Sequence, residues 1–302
     1  MWTGDANGKC ETLKETGIIG SLRWWYEAIV RGLGGYACDP TSSGKCELNY
    51  REFNEALNKG KSIQEALDEQ ICPACQLFGC TGWKRRFRIY IDQPNERYFT
   101  KDGFKQKKRF NLDMIPLYEL SHPQKWLLGH TLNIIENYGA IGGRTTRKPD
   151  SYHGTSYGLI KIMNYGKINR WDEESSSEDV KNWLKFNRKS LNKGNKPNWF
   201  DFRFYWIVKN DFLDMKHMNN LLRLEKRGKN SFPKRKTIDN EFLNFLRGKQ
   251  GISKKIFSFK DLNVVFGYVR DDMELIEINE MLKHELGKYI EFRTGKSIME
   301  DL

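Results

Sequence analysis

The chain has 302 residues, of which 38% are hydrophobic and 13% aromatic, and 51 Lys and Arg against 39 Asp and Glu give it a net charge of +12. This length holds one large domain or two medium ones, and the apolar and aromatic content excludes disorder as the main state. No run approaches the roughly 18 apolar residues of a membrane helix, and Met1-Trp2-Thr3-Gly4-Asp5 has no basic segment leading into an apolar one, so a soluble, cytoplasmic protein without a membrane partner is expected.

Ser21 reads as the N-cap of a first helix, on which Leu22, Trp25, Tyr26, Ile29, Val30 and Leu33 recur at helical spacing until Gly34-Gly35 stops it. Residues 36–61 are rich in Gly, Ser, Asn, Lys and Cys and read as an insertion with little core. Ser62-Ile63-Gln64-Glu65 is a capping box that opens a short helix through Ile71. Arg86 to Ile91 alternates, with Phe87, Ile89 and Ile91 on one face and Arg86, Arg88 and Tyr90 on the other, which predicts a strand with a basic exposed face. A weaker strand spans Met114 to Leu120, and Ser121 with Gln124 caps a helix carrying Leu128, Leu132, Ile135 and Tyr138. A glycine-rich basic loop, Gly139 to Gly158, and a short strand, Leu159 to Met163, follow.

The acidic run 172–179 and the Asn- and Lys-rich residues 189–198 interrupt the pattern, so the domain boundary is expected between 165 and 200. Beyond it, strands are predicted over 202–208, 255–260, 263–270 and 289–292, and helices over 212–227, 238–247 and 273–287. Both halves suggest the β-α-β-β-α-β order, the first without its opening strand. The fold class expected is α+β, with two ferredoxin-like (RRM-like) domains, 1–168 and 169–302, and a Cys-rich insertion at about 36–80.

Charge is unevenly placed. Residues 84–109 hold ten Lys and Arg against three acids, interleaved with Phe87, Tyr90, Tyr98, Phe99 and Phe104, and residues 216–255 hold twelve basic residues against three acidic. The tail from Asp271 to Asp301 reverses the sign. Clustered cations in a folded, aromatic-rich chain point first to a polyanion, because phosphates release counterions when neutralised.

Six cysteines occur in a chain with no secretory signal, which disfavours disulfides. The Cys72-Pro73-Ala74-Cys75 spacing with Cys38 and Cys46 upstream supplies four thiolates for one tetrahedral, structural zinc, with Cys80 as the alternative to Cys46. The loop Gly139-Ala140-Ile141-Gly142-Gly143-Arg144-Thr145-Thr146-Arg147-Lys148 follows a helix and precedes a strand, the reverse of a Walker or Rossmann loop, so no small-molecule nucleotide substrate is expected. Glycine N–H groups, Arg144, Arg147 and Lys148 and the hydroxyls of Thr145 and Thr146 suit a phosphodiester backbone. Gly20 and Ser21, at the expected helix start, with Arg23 one turn in, form a second candidate anion site, and Trp24 beside them is a candidate stacking ring. Lys84, Arg85 and Arg86 join the set on charge alone. The five histidines show neither metal spacing nor a nucleophile partner, and only His153, in the glycine-rich segment, has a setting suited to acid–base work on RNA.

Trp2-Thr3-Gly4, Thr16-Gly17-Ile18-Ile19-Gly20-Ser21-Leu22-Arg23-Trp24-Trp25 and Cys75-Gln76-Leu77-Phe78-Gly79-Cys80-Thr81-Gly82-Trp83, followed by the Gly139–Lys148 loop, together resemble the RAMP superfamily of CRISPR proteins. The resemblance is nearest to the first-numbered RAMP subunit of the Cmr (type III-B) effector complex and covers about the first half of the chain. It implies two ferredoxin-like domains and a non-catalytic role in antiviral defence: holding the 3′ region of the CRISPR RNA beside other RAMP subunits and helping to engage target RNA. It also implies RNA contact at the glycine-rich loop and at Gly20–Arg23. The family places a strand before the W-T-G segment, at which this sequence opens, so either the start is truncated or the first sheet lacks that strand. A metal-independent CRISPR RNA-processing endoribonuclease using His153 and a protein–protein adaptor are the alternatives.

Overall fold

The computed structural model describes residues 1–4, 10, 12–92, 110–146, 157–166, 168, 171, 175–191, 200–225, 234–235, 240–249, 252–287 and 290–302. The chain divides into two compact units, one made of 1–143, 160–202 and 302, the other of 144–159 and 203–301. The chain passes between the units at 143–144, 159–160 and 202–203, whereas the sequence reading places one boundary at 168–169. Helix α6 (Ser177–Ser190) belongs to the first unit because it buries Val180, Leu184 and Asn187 there, and Asn187 and Trp183 reach Asp68.

In the first unit, α1 (Glu15–Gly32) starts more than a turn earlier than its sequence suggests. Ile18 and Ile19 are buried and extend the apolar stripe toward the N-terminus, and the N-cap residue Lys14 makes no side-chain cap of its own; its N–H donates instead to Thr3 Oγ1 at 2.7 Å. Residues 36–61 are not coreless. Asn49 caps α2 (Tyr50–Asn58), which buries Phe53 and Ala56. The capping box of Ser62 and Glu65 opens α3 (Ile63–Asp68), and α4 (Pro73–Phe78) follows. Strands β1 (Phe87–Asp92) and β2 (Asn111–Pro116) pair antiparallel, and α5 (His122–Tyr138) begins where Gln124 Oε1 accepts the Ser121 N–H at 3.2 Å. Helix α1 packs against α4, α5 and β1. Tyr26, Phe78 and Phe87 form an edge-to-face series with 5.4 Å steps through this core. Residues 159–163 form no strand, since the Ile162 N–H is taken by Glu136 Oε1.

The second unit holds β3 (Tyr205–Lys209), α7 (Met215–Leu221), the short β4 (Leu224–Glu225) and β5 (Lys234–Arg235), α8 (Glu241–Arg247), β6 (Ile256–Phe259), β7 (Val264–Tyr268), α9 (Asp272–Leu286), β8 (Glu291–Thr294) and α10 (Gly295–Glu300). The main sheet runs β6-β7-β3-β8, antiparallel throughout. Leaving aside the two-residue β4 and β5, the order is strand, helices, two strands, helix, strand. The predicted helix over 212–227 ends at Leu221, after which the chain turns back through Arg223 at φ 48°. Trp206, Val208, Ile256 and Val265 of the sheet pack with Met218, Leu221, Phe242, Leu246, Leu275, Ile278 and Leu282 in one apolar core. Gly267 is obligatory at its place, because a Cβ there would lie 2.4 Å from the Lys255 carbonyl and 2.6 Å from the Trp206 ring.

The structure is therefore mixed α and β with small antiparallel sheets, as the α+β expectation requires. The four-stranded arrangement is present only in the second unit; among the described residues the first unit has the β1–β2 hairpin and helices. No described helix is long and apolar enough to cross a membrane.

Candidate functional site

Cys38, Cys46, Cys72 and Cys75 converge in the first unit, all four buried, with their sulfurs within 4.8 Å of one another. Cys38 Sγ lies 3.4 Å from Cys75 Sγ and 3.9 Å from Cys72 Sγ. A tetrahedral zinc with Zn–S bonds of about 2.3 Å sets its sulfurs about 3.8 Å apart, so the set can bind a metal ion and is compatible with zinc. Local structure explains the convergence: Cys72 is the N-cap of α4, Pro73 takes the first helical position, and Cys75 follows on the same turn. Cys80, only half-buried, pairs its backbone with Trp83 and stands outside the four.

Two arginines of α1 grip the halves of this cluster. Arg23 donates to Cys75 Sγ at 3.2 Å, to the Gly79 carbonyl at 2.8 Å and to Glu27 Oε1 at 2.7 Å. Arg31, buried, donates to the carbonyls of Ala37, Cys38 and Phe200. Glu27 stands between them, 3.6 Å from the Arg31 guanidinium, and burial pushes its carboxyl up despite both cations. Burial works against the Arg23 charge as well, but Cys75 and Glu27 outweigh it and raise its pKa. Four thiolates around a divalent ion carry a net charge of −2, which the Arg23 guanidinium and the Cys72 N–H, 3.4 Å from Cys46 Sγ, partly offset. Arg23, expected at an anion site, is thus engaged in holding the cysteine cluster together. Arg31 is not among the expected site residues; its only sequence signal is the i,i+4 series Arg23-Glu27-Arg31 on the side of α1 away from the apolar stripe.

The W-T-G segment, α1 and the glycine-rich loop meet in one junction. Gly142 N–H donates to Ser21 Oγ at 2.9 Å, Gly143 N–H to the Trp2 carbonyl at 2.7 Å, and Trp25 Nε1–H to the Ala140 carbonyl at 2.9 Å. Gly142, at φ 89°, would carry a Cβ 2.6 Å from the Trp2 carbonyl, so the close approach requires glycine. The N–H groups of both glycines are therefore spent inside the protein rather than turned toward an anion. Gly20 and Ser21 lie inside α1 and not at its start, so the helix-end site expected there does not form; Ser21 Oγ also donates to the Gly17 carbonyl at 3.0 Å. Trp24 stacks one face on Phe200, with centroids 3.9 Å apart. Arg144 is exposed in the left-handed region at φ 59°, and Thr145 and Thr146 are half-buried. Arg147, Lys148 and His153 lie outside the described residues.

At the basic strand, Lys84 is exposed, while Arg85 and Arg86 are half-buried. Arg85 Nε–H donates to the Phe87 carbonyl at 2.7 Å, and Arg86 donates to the Glu119 carbonyl at 3.0 Å. The Arg86 guanidinium also lies 5.3 Å from the Trp83 ring centre and 5.9 Å from that of Tyr118, and burial lowers its pKa. Of these three, Lys84 presents its charge most fully to solvent.

Comparison with curated proteins gives no match to this chain. The family model of the RAMP superfamily matches residues 1–147, the stretch that carries the W-T-G segment, α1, the four-cysteine cluster and the glycine-rich junction, and over that stretch the protein is similar to RAMP-superfamily proteins.

Proposed function

We propose that this protein is a non-catalytic RNA-binding subunit of a type III-B CRISPR (Cmr) interference complex, acting in the cytoplasm. It contacts the 3′ region of the CRISPR RNA beside other RAMP subunits and helps engage target RNA. The observation that carries the reading is the superfamily match over residues 1–147, and the excess of Lys and Arg over residues 84–109 within that stretch supports it. Guide pairing supplies sequence choice in such an assembly, so the subunit needs charge and stacking surfaces rather than a base-reading code. The four cysteines hold a structural zinc, which when bound ties residues 36–80 together and supplies no reactive position.

The test is incubation of purified protein with end-labelled single-stranded RNA over a salt series, with binding and cleavage read from the same samples. Binding that weakens as salt rises, with the RNA intact, is the expected result. Discrete cleavage products would replace this reading with the endoribonuclease, and loss of cleavage in His153→Ala would locate its acid–base group. Absence of binding at low salt would remove RNA recognition from the isolated chain and favour the protein–protein adaptor.

A further inference from the structure

Thirteen large hydrophobic side chains are exposed among the described residues, and four of them cluster at one hairpin: Tyr90 at 56%, Ile115 at 50%, Leu117 at 44% and Tyr118 at 58%. The strand pairing explains the clustering. Strand β1 alternates buried and exposed residues, so Phe87, Ile89 and Ile91 face the core while Arg88 and Tyr90 face outward. In the register of the pair, Arg88 lies opposite Ile115 and Tyr90 opposite Asp113, which sets all four on the outer face. The Leu117 N–H continues the ladder to the Arg86 carbonyl at 2.8 Å. Tyr118 is held beside this face by the Arg86 guanidinium, which is itself backed by Trp83.

We propose that this outer face of the β1–β2 hairpin is a stacking platform for the bases of single-stranded RNA, an inference that rests on the RNA-binding reading above. Exposed rings on a sheet next to cations are suited to that ligand, because every base has a π-face and its phosphate needs a counter-charge. Arg88, exposed, and Lys84, exposed two residues before Arg86, supply that charge. Asp113, opposite Tyr90, repels phosphate but accepts a hydrogen bond from an exocyclic amino group, so a base rather than the backbone belongs over that ring. The apolar Ile115 and Leu117 widen the surface without adding hydrogen-bonding groups that a base would leave unpaired.

The experiment compares the full-length wild type with Tyr90→Ala, Tyr90→Phe and Arg88→Ala. Each is titrated against a short single-stranded oligoadenylate RNA and against a blunt RNA duplex of the same length, over a salt series. Tyr90→Ala is expected to weaken single-strand binding by about 5- to 150-fold with the salt slope unchanged, while duplex binding does not move. Tyr90→Phe keeps the wild-type affinity, because the ring and not the hydroxyl makes the contact. Arg88→Ala flattens the single-strand slope by about 0.7. Wild-type binding that Tyr90→Ala leaves untouched overturns the platform while the RNA-binding reading stands; no binding by the wild type overturns both. If RNA affinity is untouched and Tyr90→Ala instead lowers self-association in sedimentation, the face is a protein contact and the proposal fails. Tyr90 is exposed, and unchanged far-UV circular dichroism of the variants confirms that folding is not what the titration reads.

Discussion

In the second unit, Trp206, Val208, Ile256 and Val265 of an antiparallel sheet bury themselves against Met218, Leu246, Ile278 and Leu282, with one apolar residue meeting another. In the first unit, a comparable set of apolar residues on α1 is joined by polar cross-links at the core: Arg31 on three carbonyls, Arg23 on Cys75 and Gly79, four cysteines around one point, and Asp68 receiving Gln76, Trp183 and Asn187. Apolar burial is non-directional and tolerates adjustment, whereas a buried polar group must meet its own partner or lose its solvation. The second unit should therefore respond to lost volume, and the first to lost partners.

The strongest way to break this contrast is to remove the metal. Freshly reduced protein is expected to carry about one zinc per chain by elemental analysis, and Cys72→Ser or a strong chelator is expected to unfold residues 36–80, because structural zinc contributes about 10 kcal/mol or more to small domains that depend on it. Hydrogen exchange read peptide by peptide checks this: protection should be lost across 36–80 and kept in β3, β6 and β7. Equal loss in both units would end the distinction, and absence of zinc would end the metal assignment.

Next in size is Trp206→Ala, which leaves a large void in the second unit and should cost about 3–5 kcal/mol in denaturant unfolding of that unit's sheet, again followed by exchange. The first unit's cysteine cluster should keep its metal.

Asp68→Asn is expected to cost about 1–3 kcal/mol, because an amide N–H₂ would face the donors that Asp68 now accepts. Burial raises the Asp68 pKa, against the hydrogen bonds that lower it. A raised carboxyl takes up a proton on folding, so its favourable contribution is complete below the ordinary carboxylate value and is lost as pH rises through the folded value. The stability of the wild type relative to Asp68→Asn should therefore fall across that acidic window; a flat difference would mean that Asp68 ionises as freely folded as unfolded.

The smallest effect is expected at Gly20, exposed within α1 with nothing within 4 Å of where a Cβ would lie. Gly20→Ala should stabilise the first unit by about 0.5–1 kcal/mol. A loss of RNA affinity in that stabilised variant would place the α1 backbone at an RNA contact, and unchanged affinity would remove Gly20 from the interface.

Much of the architecture was legible from local patterns. The apolar spacing of α5 and α9, the capping box of Ser62 and Glu65, the alternation of β1 and the C-x₂-C turn are each written within a few residues, because helix and strand periods repeat locally. The four metal-site cysteines were legible as residue types with a familiar spacing. What local patterns do not carry is the assignment of polar side chains to tasks. Arg23 reads as a surface cation because its partners, Gly79 and Cys75, lie 56 and 52 residues away. The true start of α1 is hidden because no side chain caps it, and the N–H of its N-cap residue Lys14 goes to Thr3, 11 residues earlier. Helix α6 is absent from the sequence reading, which takes its surroundings as a boundary region, because Asn187 answers to Asp68, 119 residues earlier.

By itself the sequence determined that this protein is a basic, folded α+β chain, with a cysteine set able to take a metal, amphipathic helices, a basic alternating strand and motifs that resemble the RAMP superfamily. Tertiary structure alone decided that Cys46 and not Cys80 completes the cluster, that Ser21, Gly142 and Trp2 form a junction instead of an anion cradle, and that Tyr90 and Ile115 share one exposed face of the hairpin. The physical reason is range. Periodicity and capping act between residues a few positions apart, whereas the partner of a buried charge or thiol is chosen by the packing of elements that the chain brings together from far apart.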